Sequence, residues 1–478
     1  MAKLPSEDQA TLSRLKSRLD RDIRLKSVDG KKVPGFKSLR GYYGGRQRLE
    51  QLGIAVPEEL RQFITIVAWP RTYADAIVSR LRPQGFLIGG DGNDELWRYW
   101  QENKLDSEIR MALTDMVVCG RGYLCEGTRP GDDQVRLWTP DDAVVSPLIT
   151  VESPMEMVHE WSNSRRMVTS AARFYVEEIG GKRESRATFY QPDQTRWLRR
   201  GSDGWEDIPD IEPDEHGLGI VPVQPLVNRA SSDDRYGESE LHPVIGLTDA
   251  AARGLTNAQV ATEILAVPQR WAAGLKQEDF KDPRTKEVLT AWEAYFGAVW
   301  ATSNPEAKFG QFSAADLANF KTIIGVYAGL VAGVTGLPMR YLGQQTDNPP
   351  SADGIRADES RIIGTAEEKQ EFAADGIEGS LVVGDLIATG ERKPELLGLE
   401  LDWRNAATPS TAQAADAATK KYTSKLVSRK QALRDMGYTP KQIDKIIEEL
   451  GEELAASRAD PTLDRITRDL IDASGINA

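Results

Sequence analysis

The sequence predicts an α+β chain, a β-rich middle set in a frame of unusually long helices. Three observations carry that expectation. Between Gly122 and about Val223, short apolar stretches such as "GYLCEG", "QVRLWTP", "RFYVEEI" and "ATFYQP" alternate with Gly, Asp and Pro clusters, the pattern of strands and hairpins. Helical apolar spacing then runs through 238–265, 314–336 and 351–387. From Pro409 onward the chain breaks into small helices, and "SRKQALRDMG" and "TPKQIDKIIEELGEELAAS" each open on a Ser or Thr cap.

Taken in order, the N-terminal "MAKLPSEDQATLSRLKSRLD" is an amphipathic helical arm without the apolar core of a signal peptide, so secretion by that route is not expected. "GYYGGRQRLEQLG" sets Tyr42 and Tyr43 beside two glycines, a turn that docks an aromatic pair. Helical spacing from Pro57 to Leu81 is expected to break or kink at Pro70. Two further helices follow, with Trp97 and Trp100 on one face of the first and Ser107 as the N-cap of the second.

After the β-rich section a helix opens near Glu238 and runs to Pro268, about 28 residues or roughly 42 Å. A compact excursion, 268–311, carries a strand-like "QRWAAGL", a short helix around "KEVLTAWEAYF", then "GAVWATS" and "KFGQF". The second long helix, Ala314 to Gly336, leads into a proline-rich loop and then into the helix from Ser351 to Ile387. Ile355, Ile362, Ala366, Ala373 and Ile377 give that helix one narrow apolar stripe, Ser351 can cap it, and Gly354, Gly364, Gly376 and Gly379 are expected to weaken or bend it. "LELDW" reads as a short strand.

At 478 residues, 40% hydrophobic and 28% charged, the composition is that of a folded globular chain. A formal net charge of -13 makes the surface as a whole repel phosphate backbones and anionic lipid. Cys119 and Cys125 are too few for a disulfide framework or a zinc site and read as free thiols in a reducing compartment. Thr322 to Met339 is uncharged and at the lower edge of membrane-spanning length, but Pro338 and the glycines argue against spanning. Gly325, Gly329 and Gly333 instead form a small-residue face for tight helix packing.

No catalytic constellation emerges. A Walker A loop is missing, and His159, His216 and His242 lie far apart with no metal-binding spacing. "GESEL" at Gly237 lacks the second glycine of a nucleophile elbow, so Ser239 reads as part of a helix start. Asp353, Asp358, Glu359, Glu367, Glu368, Glu371 and Asp375 on the long helix are the usual pattern of a solvated or partner-pairing face. They also leave an alternative open, a metal-dependent hydrolase using those carboxylates. A membrane-attached scaffold rests on 322–339 alone.

The order of elements, two long helices around a compact excursion, then a loop, a longer helix and a small helical domain, resembles the siphovirus-type portal proteins of tailed bacteriophages. Several local stretches agree: "YYGGRQRL" (Tyr42 to Leu49), "IVSRLRPQGF" (Ile77 to Phe86), "ELWRYWQENKLDSEIRMALTDMVVCGRGYLCEG" and "VNRASSDDRYGESELHPVIGLTDAA". The likeness runs from about Leu39 to Leu454 and rests on the order of its motifs.

It implies a ring-forming portal fold: an N-terminal arm (1–40), a wing (41–237), stem helices at 238–266 and 313–337 flanking a clip (267–312), a tunnel loop (338–350), a long wing helix with a strand (351–408) and a C-terminal crown and tail (409–478). Gln344, Gln345, Thr346, Asp347, Asn348, Pro349 and Pro350 would then face the channel. The resemblance further implies a homo-oligomer, twelvefold in virions, at one capsid vertex, assembled in the host cytoplasm. Its partners would be the major capsid protein, a large terminase that supplies ATP hydrolysis, a head-tail adaptor at the clip, and double-stranded DNA passing without sequence specificity. No catalytic residue, cofactor, metal or membrane is expected.

Overall fold

Helix α1 (Ser6–Arg24) lies on a five-stranded antiparallel sheet, its Leu12, Leu15 and Leu19 sealed against Val158, Ala172, Phe189 and Leu198. The computed structural model describes residues 4–28, 31–47, 65–128, 146–209, 211–265, 270–274, 305–311, 318–344, 351–407 and 411–459. The spacing of those leucines, three and four apart, puts them on one helix face, which a sheet can cover. At the helix end the Asp22 carboxylate pairs with the buried Arg121 guanidinium.

A hairpin, β1 (Leu25–Val28) and β2 (Lys31–Pro34), leads to α2 (Phe36–Tyr43). Helix α3 (Trp69–Val78) follows, with Pro70 in its first turn. The expected kink is therefore corrected. Proline lacks the amide that a first turn leaves unused, so Pro70 starts a helix here and interrupts none.

The strands β3 (Pro83–Ile88) and β4 (Asp91–Gly92) form a small sheet. Helices α4 (Asp94–Glu102) and α5 (Leu105–Cys119) come next, and Trp97 stacks on Trp100 with ring centroids 5.8 Å apart. Ser107 is not the cap of α5. Lys104 holds that position at φ 54°, and Ser107 Oγ donates to the Lys104 carbonyl from within the first turn.

The β-rich section is as expected. Strand β5 (Arg121–Gly127) pairs with β6 (Leu148–Glu152) and with β12 (Val223–Val227) in one sheet. The second sheet runs in the order β11-β10-β9-β8-β7, from β7 (Met157–Ser162), β8 (Met167–Ile179), β9 (Lys182–Tyr190) and β10 (Thr195–Gly201) to β11 (Gly204–Asp207). "QVRLWTP" falls in 129–145, outside the described residues.

Helix α6 (His242–Leu265) begins four residues later than the sequence suggested. Ser239 explains the delay: its Oγ accepts from the Leu241 amide and donates to the Val118 carbonyl, fixing a non-helical entry. In the excursion β13 (Arg270–Ala273) pairs with β14 (Lys308–Gln311), and the expected helix near "KEVLTAWEAYF" and the "GAVWATS" stretch lie outside the described residues. Helix α7 (Ala318–Thr335) packs along α6.

Helix α8 (Ala352–Thr389) is uninterrupted for 38 residues and capped by Ser351, whose side chain accepts from the Gly354 amide. Its glycines do not break it. A Cβ at Gly376 would sit 2.5 Å from the Leu226 side chain and one at Gly379 3.1 Å from that of Gln224, so these positions let α8 press on β12. Of the predicted stripe, Ile362, Ala366, Ala373 and Ile377 are fully buried, whereas Ile355 near the free end is exposed. Strand β15 (Leu399–Trp403) returns to pair with β3, and α9 (Thr411–Thr423), α10 (Arg429–Asp435) and α11 (Pro440–Ala459) close the described chain.

One carboxylate joins these parts. Glu240, just before α6, accepts from Tyr73 Oη on α3 (3.0 Å), from Asn228 Nδ2 (3.1 Å) and from both Nε and Nη2 of Arg229 (2.5 and 3.0 Å). Lys369 Nζ of α8 lies 2.9 Å from the same carboxylate, and both side chains are buried. Burial alone would raise the acid's pKa; the Arg229 hydrogen bonds and Lys369 outweigh it and hold Glu240 at about 2.

The folded state thus binds fewer protons than the unfolded chain between the ordinary glutamate value and about 2. The cluster's contribution is complete above about pH 4.5 and is lost as pH falls through that window. Glu240→Gln should cost about 3 kcal/mol at neutral pH by leaving the buried Lys369 with only the half-exposed Glu368 as counter-charge. Urea unfolding at a series of pH values should show the gap to wild type narrowing steadily as acid is added; a constant gap would refute this account.

Candidate channel elements and their anchor

The resemblance assigns four elements to a channel: α6 and α7, the antiparallel β13–β14 pair and the loop between α7 and α8. The loop leaves α7 through a short 3-10 turn, Met339–Leu342. Of its predicted site residues, only Gln344 is described, and Gln345, Thr346, Asp347, Asn348, Pro349 and Pro350 lie outside the described residues.

The base of that loop is clamped. Glu359 of α8 accepts from Arg340 Nη2 at 2.5 Å and from Tyr341 Oη at 2.9 Å, while its other oxygen accepts from Arg80 Nη2 at 3.1 Å. Arg340 also reaches Asp358 at 3.1 Å, and Arg361 Nη1 donates to the Gly333 carbonyl at 2.9 Å. Burial raises the pKa of Glu359, but the Tyr341 hydroxyl and the Arg340 guanidinium, with Arg80 behind them, bring it below the usual carboxylate range. One ionised oxygen pair therefore ties the loop's entry to both α3 and α8.

The glycines of α7 stand differently from one another. A Cβ at Gly329 or Gly333 would meet nothing within 4 Å, and one at Gly325 would meet only Gln344 Oε1, at 3.8 Å. Within the described residues, then, no helix packs on Gly329 or Gly333. Beside them Ile323, Val326, Leu330 and Val334 form an exposed apolar face, while Ala328, Val331 and Thr335 face inward. This is also the one helix among the described residues long and apolar enough to cross a membrane.

The motif stretches prove to be joints. Tyr42 Oη donates to Asp249 of α6 at 2.8 Å, and Tyr43 Oη to Asp75 of α3 at 2.8 Å. In "GESEL", Gly237 has φ 76°, and a Cβ there would lie 2.4 Å from the Gly120 carbonyl, so only glycine fits. The Asn228 side chain closes the same turn by donating to the Glu238 carbonyl at 2.6 Å.

The acids of α8 divide into paired and outward-facing groups. Asp358 and Glu359 hold Arg340, Glu368 pairs with Lys369 at 3.1 Å, and Glu367, Glu371 and Asp375 face outward. Among the described residues no three His, Cys, Asp or Glu side chains converge as metal ligands. His159 is buried against Tyr123, His216 sits by Thr195 and His242 by Glu238. Cys119 and Cys125 are free and buried.

Residues 26–456 match the family described as "Phage portal protein, SPP1 Gp6-like". The chain belongs to this phage portal family. Its relatives include the "Portal protein" of Mycobacterium phage D29, 38% identical over 412 residues that span 84% of this chain and 82% of that protein. The "Portal protein" of Mycobacterium phage L5 is 38% identical over 411 residues, again 84% and 82% of the two chains. A chain of the solved "Neck of native GTA particle computed with C12 symmetry" overlaps 80% of this chain and 94% of its own at 12% identity, with a TM-score of 0.43, too loose to bear on fold or ring size. Portal family membership leaves the hydrolase alternative without support.

Sequence reasoning read the acids of α8, Glu359 among them, as a solvated or partner-pairing face and did not single out Arg80, Arg340 or Lys369 as their partners. Their effect on the portal loop can be measured. The amides of Tyr341, Gly343 and Gln344 are hydrogen-bonded to carbonyls of the same turn. Glu359→Gln should speed their hydrogen exchange about tenfold as the base loosens. Unchanged protection would show that the clamp does not hold the turn.

Proposed function

We propose that the chain assembles into a ring, twelvefold in the virion, that forms a channel at one capsid vertex for DNA packaging and ejection. The observation that carries the ring is the exposed face of α7. Ile323, Val326, Leu330 and Val334 would stand in water in a lone subunit, and beside them Gly329 and Gly333 have open space where a Cβ would point. A contiguous apolar face of this kind is what an interface covers. Neighbouring stem helices crowded around an axis would cover it.

The loop after α7, with Gln344, Gln345, Thr346, Asp347, Asn348, Pro349 and Pro350, would project into the bore. Neutral amides and hydroxyls make weak contacts to a sliding backbone, and Asp347 opposes adhesion. A net charge of -13 on every subunit keeps DNA from sticking, since counterion release has little to drive it. The clamped base at Glu359 supports this reading because a loop that touches moving DNA needs a fixed root. In the assembled particle the subunits would meet the major capsid protein, a large terminase carrying the ATP chemistry, and a head-tail adaptor at the clip around β13 and β14. The role is structural and non-enzymatic.

Electron microscopy of the purified protein should show axial rings with a hole wide enough for duplex DNA, without detergent. Absence of rings even with capsid proteins present, or a need for detergent, would sink the reading. Gly329→Leu is the sharper test. Within the subunit the position is open and leucine is the better helix former, so the fold should be unharmed. Overpacking between stems should lower the ring fraction about tenfold. Rings at the wild-type level would remove the packing argument.

A further inference from the structure

An arginine groove lies between α2, α3 and α5. Arg40, Arg46, Arg71 and Arg110 line a cavity of about 660 Å³, with Tyr43 and the exposed Met111 in its wall. Arg40 is held by Asp115 at 2.6 Å and by Ser153, and Arg71 leans on Asp75 at 3.4 Å in an exposed pair. Arg46 and Arg110 are exposed and make no ion pair among the described residues. Four guanidiniums thus face two carboxylates, in a chain whose net charge is -13.

The opposite imbalance sits on α8. Glu367, Glu371 and Asp375 follow one another at four-residue steps, are exposed, and make no ion pair among the described residues. Like charges at that spacing repel along a helix and cost stability unless a cation lies over them.

The two patches lie on opposite sides of the subunit. On α3, Arg71 and Asp75 face the groove, whereas Tyr73 reaches Glu240, on the side where α8 packs. At about 100° per residue these two sets are roughly 180° apart around α3. Beyond it, α8 turns Ala366, Ala373 and Ile377 to the core and its three acids away.

We infer that the acidic line of α8 in one subunit docks in the arginine groove of the next copy of this chain. A basic patch and an acidic patch on opposite sides of one subunit are what a head-to-tail contact requires, and such contacts close into rings. The charges would set register and favour encounter, while Met111 and Tyr43 give the groove an apolar floor. The inference rests on the ring proposed above and specifies one of its contacts.

Charge reversal tests it in full-length protein, with ring fraction read by sedimentation at low and high salt. Arg46→Glu with Arg110→Glu, or Glu367→Lys with Glu371→Lys, should each lower the ring fraction about tenfold at low salt, and all four together should restore it. These positions are exposed, so unchanged thermal melting of the subunits confirms that folding is intact. Wild-type ring fractions in either pair, or no recovery in the fourfold variant, would overturn the inference while leaving the portal ring in place. Rings that persist while the groove reversal weakens duplex DNA binding would assign the groove to phosphate and overturn it too. If wild type forms no rings with capsid proteins present, the ring and this contact fall together.

Discussion

A carboxylate cannot be left bare in a protein interior, and much of this structure follows from meeting that condition at Glu240. Its two oxygens take donors from α3, from the connector at Asn228 and Arg229, and from α8. Those donors come from stretches of chain far apart in sequence. Satisfying one charge therefore requires the N-terminal helices, the end of the β-rich section and the long helix to meet at a point. Helix α6 starts two residues beyond it. The direction of α6 is thus set by the same joint that locks α8 in place.

A second joint repeats the arrangement nearer the loop. Glu359 lies ten residues before Lys369 on α8, about 15 Å along the helix. Arg80 lies seven residues after Tyr73, in the turn that follows α3. The α3 segment and the first half of α8 are therefore riveted at two points, by Tyr73 and Lys369 on Glu240 and by Arg80 on Glu359. Arg340 and Tyr341 join the second rivet, so the loop is rooted in the stiffest part of the molecule.

The long helices and the β-rich middle were legible because periodicity and turn residues report burial directly. The rivets were legible too, in principle. On α8 the apolar stripe advances from Ile355 to Ile362 and from Ala366 to Ala373 in steps of seven, and each step skips a turn. Glu359 and Lys369 fill the skipped positions, so their place in the pattern marks them as inward-facing, against the usual expectation for charged residues. The glycines of α8 carry no such signal. Gly364 borders open space while Gly376 touches Leu226, and nothing in the spacing of either distinguishes them, since the partner lies on a distant strand. Ser107 was misplaced as a cap, and Pro70 as a break within a helix, for a local reason: such residues locate a helix start only to within a few positions, and the backbone at Lys104 and Ala68 decided the matter.

Why rivet with charges, when well-packed apolar side chains of similar volume would stabilise the joint at least as well? Apolar contacts tolerate a slip of one helix past another, because a leucine is content in a neighbouring hollow. A slip of α8 by one turn would instead break the Lys369–Glu240 and Glu359–Arg80 pairs together, leaving desolvated charges short of their partners. The clusters therefore penalise wrong registers more than they reward the right one. In a ring that matters more than in a monomer, since an angular error in one subunit recurs at every interface and accumulates around the circle until closure fails. A subunit whose stem, loop root and long helix share one enforced register presents the same two faces every time. Repetition without drift is the property that a closed channel needs from its parts.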